Sequence, residues 1–382
     1  MTDPDTLPSV TEFYDLPADL LPYKLQNGET LSQIRLAYQT YGQLNSDNSN
    51  VILLFHALTG SQNPAGINSS VPGVDLWSEE CQVGWWPGWI GPGRTIDTDR
   101  FFVICVNYLG GCYGSTGPTS INPETGVQFG GSFPEVTFSD IVDTQMILLD
   151  HLGIRKLHTA IGPSVGGMMC VSLATRYPDR VERVVPVASG LYTSSLQFIY
   201  NFEQTNAILN DPNFNGGDYY DGPRPDQGLA LARMIGHKTF VSLDAMKFRA
   251  RGEVTDGIGP AGYQMRSPLE SYMWHQGQKF LQRFDANTYV RLMTAWQHFD
   301  LLEEAGATDM TELLKRSRPH RYLLFTIDSD VCYYPEEQAV MLDALRTAGV
   351  AARRVIVASE KGHDSFLLEP ELYADVLNDF LS

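Results

Sequence analysis

The stretch AIGPSVGGMMC, residues 160–170, sets a serine between two glycines. A short apolar run before it, LHTAIG (157–162), predicts a strand, and the residues after the serine predict a helix that ends before Pro178. A tight strand-to-helix turn needs small residues on both sides of the serine, because its backbone segments pass close together. Such a turn projects the hydroxyl of Ser164 over the edge of a sheet. The stretch therefore predicts an α/β fold with a candidate nucleophile, although a glycine-rich turn without chemistry gives the same short pattern.

Other runs share the character of the strand before Ser164. Three of them are continuously apolar rather than alternating, which is typical of strands that are buried on both faces of a parallel sheet. These runs are VILLFHALTG (51–60), RFFVICVNYLG (100–110) and ERVVPVASG (182–190), and strand patterns resume at RYLLFTIDSD (321–330) and ARRVIVASE (352–360). Helical spacing appears between them in FSDIVDTQMILLDHLGI (138–154) and again in the final segment, PELYADVLNDFLS. The alternation predicts a mostly parallel sheet that is covered by helices.

The segment 191–317 has a different sequence pattern. Strand-like runs nearly vanish, and helical patterns such as DQGLALARMIGHKTF and QKFLQRFDANTYVRLMTAWQHFD dominate. We interpret it as a helical lid over the C-terminal edge of the sheet, where ligands of open α/β folds bind. The core domain is then expected to comprise 1–190 and 318–382. The apolar stripes of the lid helices indicate a homodimer that forms through the lid.

Composition excludes several classes of protein. The 382-residue chain is 43% hydrophobic and carries a net charge of −18, which fits a soluble globular protein and argues against nucleic-acid binding. No apolar run approaches the length of a membrane span. Its five cysteines are odd in number and form no CxxC motif, which predicts free thiols in a reducing compartment. The first residues, MTDPDTLPSV, lack the basic and apolar regions of a secretory signal, so a cytoplasmic location is expected.

A nucleophilic serine needs a base and an acid that orients the base. In folds of this class the order along the chain is serine, acid, histidine. His363, which follows the last strand pattern, is the candidate base, and a lone surface histidine is the alternative. The segment FTIDSDVCYYP offers two acids, Asp328 and Asp330. We choose Asp330 because it begins the loop, whereas Asp328 still lies within the strand pattern.

Acyl transfer also requires two N–H donors for the oxyanion that develops in the transition state. The amide of Val165, next to the candidate nucleophile, is one. The segment FHALTGS follows the first clear strand and is rich in small residues, so the amide of Leu58 is our second candidate. We expect His56 to hold this loop by hydrogen bonds rather than to react.

Taken together, these segments resemble the homoserine O-acetyltransferases of the α/β-hydrolase superfamily, over nearly the whole chain. The similar segments are HALTGSQ (56–62), GWWPGWIGPGRTIDTDRFFVICVNYLGGCYGSTGPTSINPETG (84–126), GPSVGGMM (162–169), GLALARMIGHKTF (228–240), RFDANTYVRL (283–292), DSDVCYYPEEQ (328–338) and GHDSFLLE (362–369). The resemblance implies an α/β-hydrolase fold and transfer of an acetyl group from acetyl-CoA to L-homoserine in methionine biosynthesis. The implied mechanism is ping-pong through an acyl-serine, with no metal and no bound cofactor. Relatives use serine as acceptor or succinyl-CoA as donor, and these alternatives stay open, as does a simple esterase or a non-catalytic relative.

The resemblance also implies roles for individual residues. Ser164 would be the nucleophile, Asp330 the acid and His363 the base. Arg233, in the first helix of the similar lid segment, would hold the carboxylate of the amino-acid substrate; a helix-surface cation is the alternative. Asp364 would meet the substrate ammonium group, and a loop-capping aspartate is the alternative there.

Two residues depart from the family pattern. Phe240 stands where members that use homoserine commonly have tyrosine, so the resemblance implies one lost hydrogen bond to the substrate at a position that bears on acceptor choice. Pro163 stands where members often have glycine. Proline holds φ at about −65° and has no N–H to donate, so we expect a stiffer turn that still presents the serine.

Overall fold

The structure is a computed structural model that describes residues 8–250 and 262–382. An eight-stranded sheet forms its central layer. In chain order the strands are β1 (Glu12–Asp15), β2 (Arg35–Tyr41), β3 (Val51–Leu54), β4 (Phe102–Val106), β5 (Leu157–Pro163), β6 (Val181–Val187), β7 (Arg321–Ile327) and β8 (Ala351–Val357). Their spatial order is β1-β2-β4-β3-β5-β6-β7-β8. Two short strand pairs lie outside this sheet, Tyr23–Lys24 with Thr30–Leu31 and Ile90–Gly91 with Ile96–Asp97.

The predicted mostly parallel sheet is confirmed. Strands β3 to β8 pair in parallel, whereas β2 runs antiparallel to both β1 and β4. The sequence pattern did not predict β1 or β2. Strand β1 lies at the edge and has exposed residues at both ends, and β2 beside it is mostly buried but contains Arg35, Gln39 and Thr40. Neither strand therefore has the continuous apolar run that the prediction relied on.

Helices cover both faces of the sheet and fill the segment between β6 and β7. The α-helices of the described residues are α1 (Glu79–Gln82), α2 (Phe138–His151), α3 (Val165–Arg176), α4 (Ser195–Leu209), α5 (Asp226–Phe240), α6 (Leu243–Arg249), α7 (Pro268–Leu281), α8 (Ala286–Gln297), α9 (Leu301–Glu304), α10 (Met310–Leu314), α11 (Pro335–Thr347), α12 (Ser365–Leu368) and α13 (Glu371–Leu381). Within residues 8–250 and 262–382, none of them is long and apolar enough to cross a lipid bilayer.

Helices α4 to α10 occupy the segment that the sequence assigns to the lid. One pattern there, QKFLQRFDANTYVRLMTAWQHFD, is divided into α7 and α8 rather than forming a continuous helix. Asp285 causes the break, because its carboxylate accepts the amide hydrogen of Thr288 and so caps the start of α8. Residues 1–7 of the predicted core domain and 251–261 of the predicted lid lie outside the described residues.

The sheet is buried on both faces near the centre. Along β3, side chains alternate between the faces: Val51 and Leu53 pack with α2 and α3, whereas Ile52 and Leu54 pack with Trp86 and α13. Each large apolar side chain that is fully buried contributes about 1.5–3 kcal/mol relative to its exposed state. The double burial explains why this strand reads as an unbroken apolar run, and it makes the sheet a rigid support for the loops at its edge.

All five cysteines are free thiols, as predicted. Four are buried and Cys81 is partly exposed. The buried thiols of Cys105 and Cys112 have pKa values raised by desolvation, so they stay protonated and pack as small apolar groups.

Candidate active site

Ser164 forms a strained turn between β5 and α3. Its φ of 58° and ψ of −128° are unusual for a residue with a side chain, and its N–H donates to the carbonyl of Val187 at 2.9 Å. A Cβ atom on Gly162 would lie 2.3 Å from the carbonyl carbon of Gly166, and one on Gly166 would lie 2.4 Å from the carbonyl oxygen of Phe55. Both glycines are therefore required by close backbone packing, which is the physical basis of the sequence pattern around the serine.

Pro163 ends β5 and lies opposite Val187 of β6. A proline at the end of a strand removes few ladder hydrogen bonds. The next residue, Ser164, still donates its amide hydrogen to β6, so the turn keeps its anchor beside the proline.

A buried hydrogen bond joins the candidate acid to the candidate base. Nδ1 of His363 lies 2.7 Å from Oδ2 of Asp330, and both side chains are almost completely buried. The other carboxylate oxygen of Asp330 accepts the amide hydrogens of Cys332 at 2.8 Å and Tyr333 at 2.9 Å. Because the Asp330 carboxylate can only accept a hydrogen bond, the imidazole carries its proton on Nδ1. Its other nitrogen, Nε2, is then free to act as a base.

The second acid of the loop has a different neighbour. Asp328 accepts the amide hydrogen of Ser359 at 2.9 Å and so links the loop after β7 to the loop after β8. The structure thus brings Asp330, and not Asp328, to the imidazole of His363.

The loop that carries His363 is held by the start of α6. The N–H of Ser242 donates to the carbonyl of Lys361 at 3.3 Å, and its hydroxyl donates to the carbonyl of Glu360. A Cβ atom on Gly362, whose φ is +73°, would lie 2.7 Å from the nitrogen of Ser242. The segment that directly precedes the candidate base is therefore in contact with the start of α6.

The two candidate oxyanion donors lie on adjoining segments. Val165 is the first residue of α3, and Leu58 is in the loop after β3; the tight contact of Gly166 with Phe55 holds the two segments together. Among the described residues, neither the Val165 nor the Leu58 amide donates a hydrogen bond. Two unused N–H groups beside the serine are suited to an oxygen that gains negative charge.

His56 belongs to the support of this loop. Burial lowers the pKa of His56 to about 3, so its imidazole is neutral, and Nδ1 donates to the carbonyl of Ala57 at 2.7 Å. Its ring stacks on Tyr108 with centroids 3.6 Å apart, and the Tyr108 hydroxyl donates to the carbonyl of His56. These contacts match the structural role expected of His56.

Arg233 lies on α5 with its guanidinium between aromatic rings. Its guanidinium carbon lies 4.9 Å from the ring centroid of Phe280 and 5.5 Å from that of Phe240. Burial, followed by the like charge of Arg283, lowers the pKa of Arg233. In the part of the chain that the structure describes, the guanidinium makes no hydrogen bond or ion pair, so its planar donors remain available to a carboxylate.

Asp364 follows the candidate base and faces the same positive groups. Burial raises its pKa, and the charges of Arg233, His363 and Arg249 act in the opposite direction. It stands at the start of α12, yet its side chain makes no capping hydrogen bond there. The guanidinium of Arg233 and the carboxylate of Asp364 therefore act on the same space beside His363. The ring of Phe240, whose centroid lies 6.3 Å from that of the imidazole, borders that space.

Two further residues contact this site, and sequence reasoning did not single them out. Tyr333 stacks on the imidazole of His363 with centroids 5.5 Å apart. Arg283 donates to the carbonyl of Thr59, one residue beyond the candidate oxyanion donor. Both lie in segments that carry the family resemblance, but their orientation depends on tertiary packing that no local pattern records. No cluster of residues suited to a metal ion occurs within the described ranges.

The strand order, the strained serine turn and the acid–histidine pair define the α/β-hydrolase class, and the α/β-hydrolase fold family matches residues 50–370. Within that class the chain belongs to the homoserine O-acetyltransferase family. It is 40% identical over 365 residues to the homoserine O-acetyltransferase of Haemophilus influenzae, covering 95% of this chain and 97% of that protein. The predicted fold, family and acyltransferase class are confirmed.

Solved structures show the same architecture. The crystal structure of homoserine O-acetyltransferase from Bacillus anthracis has a TM-score of 0.85 at 27% identity and covers 98% of both chains. The crystal structure of esterase E22 also has a TM-score of 0.85, at 26% identity, and covers 97% of this chain and 99% of that one. The same architecture therefore occurs in a protein named as an acetyltransferase and in one named as an esterase. The fold does not decide whether the acyl group passes to water or to another hydroxyl; the residues of the site do.

Proposed function

We propose that this chain transfers an acetyl group from acetyl-CoA to the hydroxyl of L-homoserine, a step of methionine biosynthesis, through an acetyl-serine intermediate. The observations that carry the proposal are the buried 2.7 Å hydrogen bond between Asp330 and His363 and the strained turn that presents Ser164 at the end of β5. The neighbouring charges of Arg233 and Asp364 are suited to the carboxylate and ammonium groups of an amino acid.

In the first half-reaction Ser164 attacks the thioester carbonyl. Its proton passes to Nε2 of His363, and the amides of Leu58 and Val165 stabilise the resulting oxyanion. The carbon–sulfur bond then breaks, and the CoA sulfur leaves with the proton from His363. Asp330 holds the imidazole in the tautomer that accepts and returns this proton.

In the second half-reaction homoserine takes the place that water would take in an esterase. Its hydroxyl gives a proton to His363 and attacks the acetyl carbonyl, and the bond to Oγ of Ser164 breaks as the serine regains a proton. Arg233 would hold the carboxylate of the acceptor and Asp364 its ammonium group. No metal and no bound cofactor enters this sequence of steps; acetyl-CoA is a co-substrate.

Alternative acceptors and donors use the same machinery. Serine as acceptor or succinyl-CoA as donor requires no change in the triad. Phe240 lacks the hydroxyl that a tyrosine would offer to the acceptor. With that hydrogen bond lost, serine stays open as the alternative acceptor. A simple esterase is the second candidate function, and the similarity to esterase E22 favours keeping it.

The surroundings of the site complete the proposal. We assign 191–317 to a lid that excludes water and 1–190 with 318–382 to the core. Exposed apolar side chains on α4 and α6, among them Ile199, Phe202 and Leu243, suit a homodimer that forms through the lid. Sedimentation equilibrium tests the proposed dimer, and a monomer would contradict it.

We place the enzyme in the cytoplasm on the support of its five free thiols.

The deciding experiment measures CoA release from acetyl-CoA and from succinyl-CoA, each with homoserine, serine or no acceptor. Rapid release from acetyl-CoA that depends on homoserine is the expected result. Release at full rate without an acceptor would contradict the transferase and support the esterase. Intact-protein mass spectrometry should detect an acetyl adduct, and Ser164→Ala should abolish it. An adduct that persists in this variant would show that another residue is the nucleophile.

A further inference from the structure

Phe280, near the end of α7, lies against two arginine side chains. The guanidinium carbon of Arg233 is 4.9 Å from the centroid of its ring, and that of Arg283 is 5.0 Å from the same centroid. The ring is buried and packs against Phe284 and Tyr289, whose centroids are 5.1 Å and 5.7 Å away. Both guanidiniums therefore lie within the distance of about 6 Å at which an aromatic ring attracts a cation.

A close approach of α5 and α7 brings this ring to Arg233. A Cβ atom on Gly277 of α7 would lie 3.0 Å from the carbonyl oxygen of Ala230 on α5. Arg233 and Phe280 each follow three residues later, about one turn further along their helices. The small residues at the contact between the helices thus allow the guanidinium to reach the ring.

An aromatic ring can hold a guanidinium without using its hydrogen-bond donors. Within the described residues Arg233 makes no hydrogen bond or ion pair, and its guanidinium lies against the rings of Phe280 and Phe240. A carboxylate side chain would also fix the guanidinium, but it would occupy the planar fork that a substrate carboxylate needs. The rings attract the charge and leave the N–H groups of Arg233 to the substrate.

Arg283 has additional partners. It donates to the carbonyl of Thr59 at 3.1 Å and pairs with Glu80 at 3.6 Å, so the ring of Phe280 is one of several contacts. Burial lowers the pKa of Arg233, and the like charge of Arg283 lowers it further, which indicates that the two guanidiniums repel each other. A ring that attracts both charges offsets part of this repulsion.

We propose that Phe280 is a positioning residue that orients Arg233 for the acceptor carboxylate and, through the same ring, steadies Arg283 and the loop of Leu58. The inference rests on the proposed function, in which Arg233 binds homoserine and the Leu58 amide stabilises the oxyanion. One ring then serves acetylation of Ser164 as well as acceptor binding. The effect on the acceptor is the larger, because Arg233 depends on aromatic contacts whereas Arg283 also has polar partners.

Graded fluorination of the ring tests this role with little change of shape. Phenylalanine at position 280 is replaced by its mono-, di- and trifluorinated derivatives, which progressively withdraw electron density from the face that attracts cations. Fluorine is only slightly larger than hydrogen, so a role in packing alone predicts no graded change. The same series at Phe133 is the matched control, because that ring is also fully buried and no guanidinium lies over it in the described part of the chain.

Two measurements separate the two arginines. Intact-protein mass spectrometry of quenched samples, with acetyl-CoA and no acceptor, gives the rate at which acetyl-serine forms. CoA release at varied homoserine concentration gives kcat/KM for homoserine, which in a ping-pong reaction depends only on the steps after acetylation. We expect the trifluorinated ring at position 280 to lower this kcat/KM about tenfold and to slow acetylation about twofold, with smaller losses for fewer fluorines.

The Phe133 series should leave both values unchanged, and the unfolding temperatures of all variants should stay within a few degrees of that of the unchanged chain. Values that do not depend on fluorination at position 280 would overturn the inference and leave the proposed function intact. A graded loss of kcat/KM with an unchanged acetylation rate would overturn the shared role, since the ring would then act on Arg233 alone. If the unchanged chain forms no acetyl-serine, or if homoserine does not accelerate CoA release, the proposed function fails and the inference fails with it.

Discussion

Arg283 donates a hydrogen bond from Nη1 to the carbonyl oxygen of Thr59 at 3.1 Å. Arg283 lies between α7 and α8 in the lid segment, whereas Thr59 follows Leu58 in the loop after β3. The guanidinium also pairs with Glu80 at 3.6 Å and lies 5.0 Å from the ring centroid of Phe280. A side chain of the lid segment thereby sets the position of the loop that would supply an oxyanion donor.

We expect Arg283→Met to lower kcat for acetyl transfer by about tenfold, with little change in KM for homoserine. Loss of one oxyanion donor costs about 10²–10³ in kcat, and this variant displaces the donor rather than removing it. Lys279→Met is the matched control, since Lys279 pairs with the same Glu80 at 3.3 Å and donates no hydrogen bond to Thr59. Equal losses in both variants would assign the effect to charge and not to the loop.

The two acids after β7 allow a direct test of the triad. Asp330→Asn should lower kcat by about 10⁴, because an amide cannot hold the imidazole in the required tautomer. Asp328→Asn should have little effect, because an asparagine oxygen can still accept the amide hydrogen of Ser359. Steady-state rates of CoA release measure both. A larger loss in the Asp328 variant would reverse the assignment of the acid.

Much of this site could be predicted because the residues at the ends of buried strands share one edge of the sheet. The apolar runs before Ser164 and Asp330 are visible in the sequence, since both strands are covered on both faces, and the shorter run before His363 belongs to the edge strand β8. Their order along the chain then suggests the three roles. The 2.7 Å contact between Asp330 and His363 supports the choice of Asp330, which the sequence based only on its position at the end of a strand.

Contacts that depend on side-chain direction could not be predicted. Nothing in the letters of DSDVCYYP indicates that Tyr333 faces the imidazole while Tyr334 does not. The break between α7 and α8 is likewise not predicted by the pattern, because Asp285 caps a helix inside an otherwise continuous helical spacing. Strand β1 gives no apolar run because it is partly exposed, and β2 gives none because polar residues such as Gln39 are buried within it.

A carboxylate at the end of α9 links the lid segment to two core helices. Glu304 accepts the amide hydrogen of Ser139 on α2 at 3.3 Å and the hydroxyl hydrogen of Ser172 on α3 at 3.1 Å. Burial raises the pKa of Glu304 to about 7, although these hydrogen bonds and the charge of Arg176 oppose the shift. An unfolded glutamate titrates at about 4.3. Between these two values the folded state binds more protons than the unfolded state.

The free energy of unfolding should therefore fall as pH rises from about 5 to 7, because the proton that stabilises the folded state is lost across this window. Glu304→Gln removes the titration and should give a flatter pH dependence. The control is Glu303→Gln, which deletes the same charge from the exposed neighbouring position. Urea unfolding at pH 5, 6, 7 and 8 measures the three curves. Parallel curves for the two variants would contradict a special role for the half-buried carboxylate of Glu304.

Phe240 gives the sharpest test of acceptor choice. Its ring centroid lies 6.3 Å from that of the His363 imidazole and 5.5 Å from the guanidinium carbon of Arg233, so it borders the space assigned to the acceptor. Phe240→Tyr adds one hydroxyl there, and a hydrogen bond made to one acceptor and not the other changes their ratio by about tenfold. We expect kcat/KM for homoserine relative to serine to rise by that factor. Phe202→Tyr, on an exposed ring of α4, should leave the ratio unchanged. If the Phe240 variant also leaves it unchanged, this position does not select the acceptor, and selection must come from the spacing between the carboxylate site and the base.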